Sequence, residues 1–396
     1  MIEESKMKMT EIGLLPNDWD VMSLSDVGRF SKGAGISREQ AHSGTIPCVR
    51  YGEIYTTHND YIEQFCSFIS PELARIATRI HEGDILFASS GETKEEIGKA
   101  VAYVGTEDAY AGGDIIILSP KIKADSLFLG FVLNDGVAVK QKASLGQGDA
   151  VVHIHAKELS GVLIPFPHPA EQHKIATVLK DLGILIADLD KAVIKKKMMK
   201  DGVMQQLLTG KTRLKGFTKS WTEMELGQLV DIKRGSMLKS SEYQFGNIPV
   251  IAGGITPAGY HNVSNRTGRT ITISASGANA GYVAMHVGPI FATDCSTISE
   301  SKDKSYFIDF IYQYLVLHQM DIYRAQTGGA QPHIHPKDIA PMKIEVPDYD
   351  EQFKIATYLS TMDREIAALE AERDKYKNIK QGMMQKLLTG QIRLPV

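Results

Sequence analysis

The chain contains itself twice. Residues 171–214 open with EQHKIATVLK and close with GVMQQLLTGKTRL, and residues 351–394 open with EQFKIATYLS and close with GMMQKLLTGQIRL. Aligned without a gap at an offset of 180, these 44-residue stretches share 22 identities, far more than a common helical composition produces. Two copies this similar must fold alike. The same offset brings His153-Ile154-His155 onto His333-Ile334-His335, and IPFP (164–167) onto IEVP (344–347). Nearer the start of each copy the offset becomes 202: WDVMSLSDVG from Trp19 meets WTEMELGQLV from Trp221, and GTIPCV (44–49) meets GNIPVI (246–251). The first copy therefore carries 22 more residues. Between these anchors, over 50–150 and 252–330, the copies agree only in spots such as SSG (89–91) and ASG (275–277).

The kept part reads as helix. Ile175, Leu179, Leu182, Ile186, Leu189 and Val193, then Val203 and Leu207, recur at alternating spacings of four and three, the seam of a coiled coil. The second copy holds the same register with Ile355, Leu359, Met362, Ile366, Leu369, Tyr376, Met383 and Leu387, interrupted by Arg373 and Lys380. Each run starts after a proline-rich stop and ends at Thr-Gly (Gly210, Gly390), where glycine suits a left-handed cap. At 1.5 Å per residue each makes a rod of roughly 58 Å. An apolar stripe that long must be covered, and the economical partner is the other rod, packed antiparallel.

Upstream of each rod, short β-rich runs (Ile46–Tyr51, Asp84–Ala88, Asp114–Leu118, Arg269–Ser274) alternate with glycine-rich turns and with helical stretches at Ser126–Lys142 and Tyr306–Tyr323. The expected fold class is α+β: two mixed α/β domains separated by two long antiparallel coiled-coil helices, in a pseudo-twofold internal repeat. Its parts are a first globule over 1–168, a central helix over 169–214, a second globule over 215–348 and a C-terminal helix over 349–396.

Composition excludes several classes. With 396 residues, 43% apolar and 23% charged, the chain is globular, and its length suits two or three domains. Three scattered cysteines, Cys48, Cys66 and Cys295, form no CxxC pair and argue for a reducing compartment. The start MIEESKMKMTEIG lacks an apolar core, and no run approaches the roughly 20 apolar residues of a membrane span, so a cytoplasmic location without membrane contact is expected.

No catalytic constellation emerges. GxxxxGK[ST] is absent, and GAGISR (33–38) and GQGDAV (146–151) lack the third glycine of a dinucleotide fingerprint, so both read as turns. Asp231-Ile-Lys233 has no second acidic ligand. His153/His155 and His333/His335 would share a face if each triplet were a strand, but no Cys or carboxylate accompanies both, and a structural role at the junction of globule and rod is the better reading. Ser90 and Ser276 lack a visible base. No metal site is expected.

What remains are polar loops: SSGETKEEIGK (89–99), SLGQG (144–148), ASGANAGY (275–282) and QTGGAQPH (326–333). Small residues allow close backbone approach to phosphate, and Gln, Asn, Lys and Arg read base edges. The candidate DNA contacts are Lys32, Arg50, Tyr51, Ser90, Gly91, Lys94, Lys142 and Gln147 in the first globule, and Arg234, Arg266, Ser276, Asn279, Gln326 and Gln331 in the second. Charge alone does not advertise DNA: the whole chain is at −3, and residues 1–170, with 15 basic and 23 acidic side chains, at −8.

The Pro-bounded strand, EQxKIAxxL, long helix and LLTGxxRL, repeated after an α/β globule, together with GGAQPHI (328–334), resemble the specificity subunit of type I restriction-modification systems across essentially the whole chain. The first copy departs from the pattern at GQGDAVVHI (146–154). The resemblance implies a noncatalytic subunit with two target recognition domains that reads a bipartite, asymmetric site on double-stranded DNA. It implies two methyltransferase (modification) subunits docked on the helices and restriction subunits joining them. S-adenosylmethionine, ATP and magnesium would then sit on those partners, with no cofactor on this chain. The alternative is a coiled-coil scaffold whose globules bind protein or glycan.

Overall fold

The computed structural model describes residues 7–328 and 331–394. Gly329 and Ala330 of the 328–334 stretch, and the outermost residues of the first and last expected segments, lie outside the described residues. The chain divides into two compact units, Met1–Asp188 with Arg373–Val396, and Leu189–Glu372. The boundary falls inside both long helices, Pro169–Leu207 and Tyr349–Leu387, each of 39 residues.

In the first unit a four-stranded antiparallel sheet runs in the order Ala100–Ala102, Ile85–Ala88, Ile115–Pro120, Gly28–Lys32. Its central strands are continuous apolar runs because both faces are covered. Ile85, Phe87, Ile116 and Leu118 point into one core, and Leu86, Ala88, Ile115 and Ile117 into another, as a period of two requires. A second four-stranded sheet, ordered Ser67–Ile69, Ile46–Val49, Ala109–Ala111, Thr78–Ile80, contains one parallel pairing.

The second unit repeats the plan with fewer strands: a four-stranded antiparallel sheet (Lys233–Arg234, Cys295–Ser299, Arg269–Ser274, Val283–Val287) and a three-stranded one (Gly259–His261, Ile248–Ile251, Phe291–Ala292). Here Ile271, Ile273 and Ile298 fill one core, while the buried Thr270, Thr272 and Thr297 alternate with them and the buried Ser296 shares the face of Ile298. Each stretch read as a single helix is a pair. Ser126–Leu133 and Gly136–Leu145 are split at Asn134-Asp135, where the Asn134 amide both accepts from the Ala100 N–H (2.9 Å) and donates to the Ala100 carbonyl (2.7 Å). Ile308–Leu317 and Gln319–Arg324 are split at His318.

The long helices close both units. In the first, Ile175 and Leu179 share a core with Leu387 and Leu388; in the second, Met204, Leu207 and Leu208 share one with Ile355, Leu359 and Met362. Ion pairs Lys196–Glu365 (2.6 Å) and Lys200–Asp363 (2.5 Å) in the second unit, with Arg213–Glu351 beyond them, join rising numbers on one strand of chain to falling numbers on the other, an antiparallel course. Every seam residue is covered: Ile175, Leu179, Val193, Ile355, Leu359, Met362 and Ile366 are buried, and Leu182, Ile186, Leu189, Leu369 and Tyr376 half-buried. After each helix Gly210 and Gly390 take positive φ (65° and 66°), the expected left-handed caps.

The repeated EQ and R of the two motifs form a clasp. In the first unit the buried Glu171 accepts from the Trp19 indole N–H (3.0 Å) and from the Nε and Nη2 of Arg393, whose other contacts are with the Asp18 carboxylate (2.9 Å twice). In the second the buried Glu351 accepts from Trp221 (3.2 Å) and from Nε and Nη2 of Arg213 (2.7 and 2.6 Å), and Arg213 also donates to the Lys219 carbonyl (2.9 Å). Each guanidinium lies over its tryptophan ring. Beside each glutamate, Gln172 or Gln352 donates to a proline carbonyl (Pro167, Pro347) and accepts the backbone N–H at the N-cap of a globule helix (Asp125, Phe307). The motif arginine of one copy thus meets the motif glutamate of the other copy, which couples the start of each helix to its globule.

Candidate nucleic-acid interface

The structure brings the candidate loops together in pairs. In the first unit Ser90-Gly91 pairs antiparallel with Val152-His153, and His153 also exchanges both backbone bonds with Gln147 (2.9 and 2.7 Å). The 89–99 and 144–148 loops are therefore adjacent. The Ser90 hydroxyl bonds His153 Nδ1 (3.0 Å), and the Ile154 N–H donates to the Ser89 carbonyl (2.9 Å). In the second unit Ser276 bridges to His333, His333 exchanges two 2.8 Å backbone bonds with Thr327, and the Ile334 N–H donates to the Ala275 carbonyl (3.0 Å). The backbone pattern is that of the first unit, position by position, while the side chains differ: Ser276 donates to Asp294, a partner the sequence did not suggest.

The histidine triplets are not strands over their length. His153 ends a two-residue strand and His333 makes isolated bridges, whereas His155 and His335 occupy the N-cap positions of Ala156–Ser160 and Pro336–Ile339. The His333 and His335 rings nevertheless lie parallel, their centroids 6.4 Å apart.

Six of the candidate contacts, Lys32, Tyr51, Lys94, Gln147, Arg234 and Gln331, are exposed. Others are committed elsewhere. Lys142 is a correction: it is 2% exposed and its ammonium donates to the Gly98 carbonyl (2.6 Å), so it cannot meet DNA from this position. Burial lowers its pKa to about 7. The sequence-equivalent residue of the second unit, 180 positions on, is the fully buried Ile322. Both side chains lie against a glycine, Gly98 and Gly281 respectively, so Lys142 occupies a core position of the repeat. Arg50 is half-buried and caps the helix Tyr51–Thr56 through Glu53 (2.8 Å). Arg266 spends its guanidinium on Thr297, Asn265 and Arg234. Ser90 is 8% exposed and Gly91 half-buried, a Cβ there meeting the Tyr55 hydroxyl at 2.8 Å. Gln326 donates to the Ala280 carbonyl (2.6 Å), and Ser276 and Asn279 are half-buried. Of the exposed six, Lys94, Gln147 and Gln331 lie within the candidate loops, and Lys32, Tyr51 and Arg234 lie outside them.

The cysteines are unpaired, with Cys48 and Cys295 buried and Cys66 exposed. Burial raises the Cys48 and Cys295 thiols to about 12. Among the described residues no helix is long and apolar enough to cross a membrane.

The family model for the type I restriction modification DNA specificity domain matches residues 16–196 and 218–380. The chain belongs to this family, with one domain of it in each copy of the repeat. It is 27% identical to the MjaX type I restriction enzyme specificity subunit of Methanocaldococcus jannaschii, covering 99% of this chain and 98% of that protein. It is 24% identical to the MjaVIII specificity subunit of the same organism, over 96% and 94%. The crystal structure of the S subunit of the type I restriction-modification system from M. genitalium has the same fold, with a TM-score of 0.69 over 96% of this chain and 98% of that one at 19% identity.

Proposed function

We propose that this chain is the noncatalytic, DNA-reading subunit of a type I restriction-modification complex, in which each globule reads one half of a bipartite, asymmetric site on double-stranded DNA. The observation that carries the reading is the pair of loop junctions around His153 and His333, built with the same backbone bonds but different side chains. A kept scaffold with altered side chains suits two modules that present different base-reading groups in one geometry. The half-sites would be read by the target recognition domains at 1–168 and 215–348, held by the helices at 169–214 and 349–396 as an antiparallel coiled coil with pseudo-twofold symmetry.

Two methyltransferase subunits would dock on the helices, with restriction subunits joining them and S-adenosylmethionine, ATP and magnesium held by those partners. In support, the first long helix exposes apolar residues off its seam, Ile194 (59%) and Met198 (68%) among them, as an unfilled protein interface does. The acidic first globule agrees, because phosphate neutralisation then falls partly to partners. The complex would work in the cytoplasm, where DNA and the reduced thiols belong.

Exchanging residues 1–168 for the first globule of another family member tests the reading. Methylome sequencing should show one half of the modified motif replaced and the other retained. Simultaneous change of both halves would sink it.

A further inference from the structure

The helix Tyr51–Thr56 and the strand Ser67–Ile69 of the first unit bring together three side chains whose chemistry the DNA-reading function leaves unused. One carboxylate oxygen of Glu53, one ring nitrogen of His58 and Sγ of Cys66 all lie within 4.8 Å of one another. The local fold puts them there for identifiable reasons. Glu53 is the third residue of its helix and accepts from the Arg50 backbone N–H (3.1 Å) and Arg50 Nε (2.8 Å), which fixes its carboxylate at the start of the helix. His58 follows the end of the same helix, its N–H bonded to the Glu53 carbonyl (2.9 Å) and its own carbonyl accepting from Lys99 (2.8 Å). Cys66 precedes Ser67, whose hydroxyl donates to the Glu53 carboxylate.

A second, independent feature points to a ligand. His58 is only 4% exposed, yet its Nε2 is buried without a hydrogen-bond partner. A buried ring nitrogen left unpaired carries a desolvation penalty that native structures avoid unless something satisfies it.

We propose that Glu53, His58 and Cys66 form a binding site for a divalent transition-metal ion of the zinc class. A thiolate, an imidazole and a carboxylate are the donor set of zinc and disfavour magnesium or calcium. Bond lengths of about 2.0–2.3 Å place tetrahedral ligands roughly 3.4–3.8 Å apart, so the side chains need only close in slightly, and the exposed Cys66 thiol would give up a long contact with Thr57 Oγ1 (3.9 Å). Arg50 and Ser67 hold the carboxylate from outside, as supporting residues do around metal ligands. The exposed thiol leaves an entry path and a fourth position open to solvent. The ion would tie the end of the helix to the start of the strand. The pairing of Cys48 with Ser67 has its counterpart in that of Val250 with Gly259, which puts Ala258 where Cys66 stands, so the second unit lacks the thiol ligand.

The test uses the full, untagged, reduced chain titrated with Co2+ as the probe. One equivalent should bind with the intense near-ultraviolet band of a thiolate-ligated ion, and Zn2+ should displace it. Cys66→Ser should remove the band, and Ser67→Ala should weaken binding roughly 10- to 100-fold. Because Cys66 is the one exposed cysteine of the three, Zn2+ should also slow alkylation of the native chain. His58→Gln should abolish one-equivalent binding; should that variant misfold, Cys66→Ser and the alkylation rate decide. Absence of saturable Co2+ binding, or an unchanged band and affinity in Cys66→Ser, overturns the proposal.

Discussion

The two clasps are the same device with one different part. Each joins a buried glutamate, a tryptophan N–H and a motif arginine, but Arg393 is held further by the Asp18 carboxylate, where Arg213 meets only the Lys219 carbonyl. The shared groups are those that fasten a long helix to its globule, and their repetition explains why EQ and R recur when the loops between them do not. The differing group sits at the rim, with the Asp18 side chain 66% exposed, where substitution is cheap. The arrangement also supplies its own reporters. The chain has two tryptophans, Trp19 and Trp221, one in each clasp.

The strongest challenge to this comparison removes the shared carboxylate. Glu171→Gln leaves Arg393 with the exposed Asp18 carboxylate alone, and Glu351→Gln leaves Arg213 with no carboxylate partner, so both should lower stability and the second should lower it more. In single-tryptophan backgrounds (Trp221→Phe or Trp19→Phe), urea unfolding followed by fluorescence should move Trp19 for the first substitution and Trp221 for the second. Equal movement of both reporters by either change would show that the clasps do not act unit by unit.

A smaller effect tests the units' cores. Lys142→Ile installs the residue type of the second unit and should stabilise the first by about 1–3 kcal/mol at pH 7. The folded pKa of Lys142, about 7, lies below its unfolded value. Between about pH 7 and 10 the unfolded chain therefore binds the extra proton, and stability rises with pH by up to about 1.4 kcal/mol per unit. That slope should disappear in Lys142→Ile. If the variant instead keeps the slope and loses DNA affinity, the lysine is a contact after all.

The smallest effect concerns the part that differs. Arg393, followed by a smaller backbone contribution, lowers the Asp18 pKa against partial burial. A depressed carboxylate adds stability above its unfolded pKa and forfeits it as pH falls through the folded one. Asp18→Asn should cost no more than about 1 kcal/mol at neutral pH, and nothing once acid has protonated the group. Acid titration should show the Trp19 signal, and not that of Trp221, responding to this substitution.

Much of the scaffold was legible because it is written in local periodicity. Alternating threes and fours marked the seam from Ile175 to Val193 and from Ile355 to Tyr376, whose residues are buried or half-buried, and Thr-Gly marked both helix ends. What was not legible depends on partners distant in sequence. The offset of 180 aligns Glu171 with Glu351, yet Glu171 is bound by Arg393, 222 residues away. Lys142 read as a DNA contact until Gly98 faced it. The Asn-Asp-Gly turn at 134–136 was outweighed by the apolar run before it, and only the Ala100 edge shows why the chain breaks there. Glu53, His58 and Cys66 carry no motif spacing, so only folding assembles them.

The crossing of the clasps has a consequence for synthesis. A ribosome releases residues 1–188 first, but the unit they begin lacks Leu387, Leu388 and Arg393 until some two hundred later residues have emerged. Everything the second unit needs lies between 189 and 372. The half of the protein that starts first is thus the last to close. During that interval Trp19, Glu171 and the apolar ends of Ile175 and Leu179 stand uncovered, so an interrupted message that stops near residue 372 would leave a finished second unit attached to an open, aggregation-prone first one.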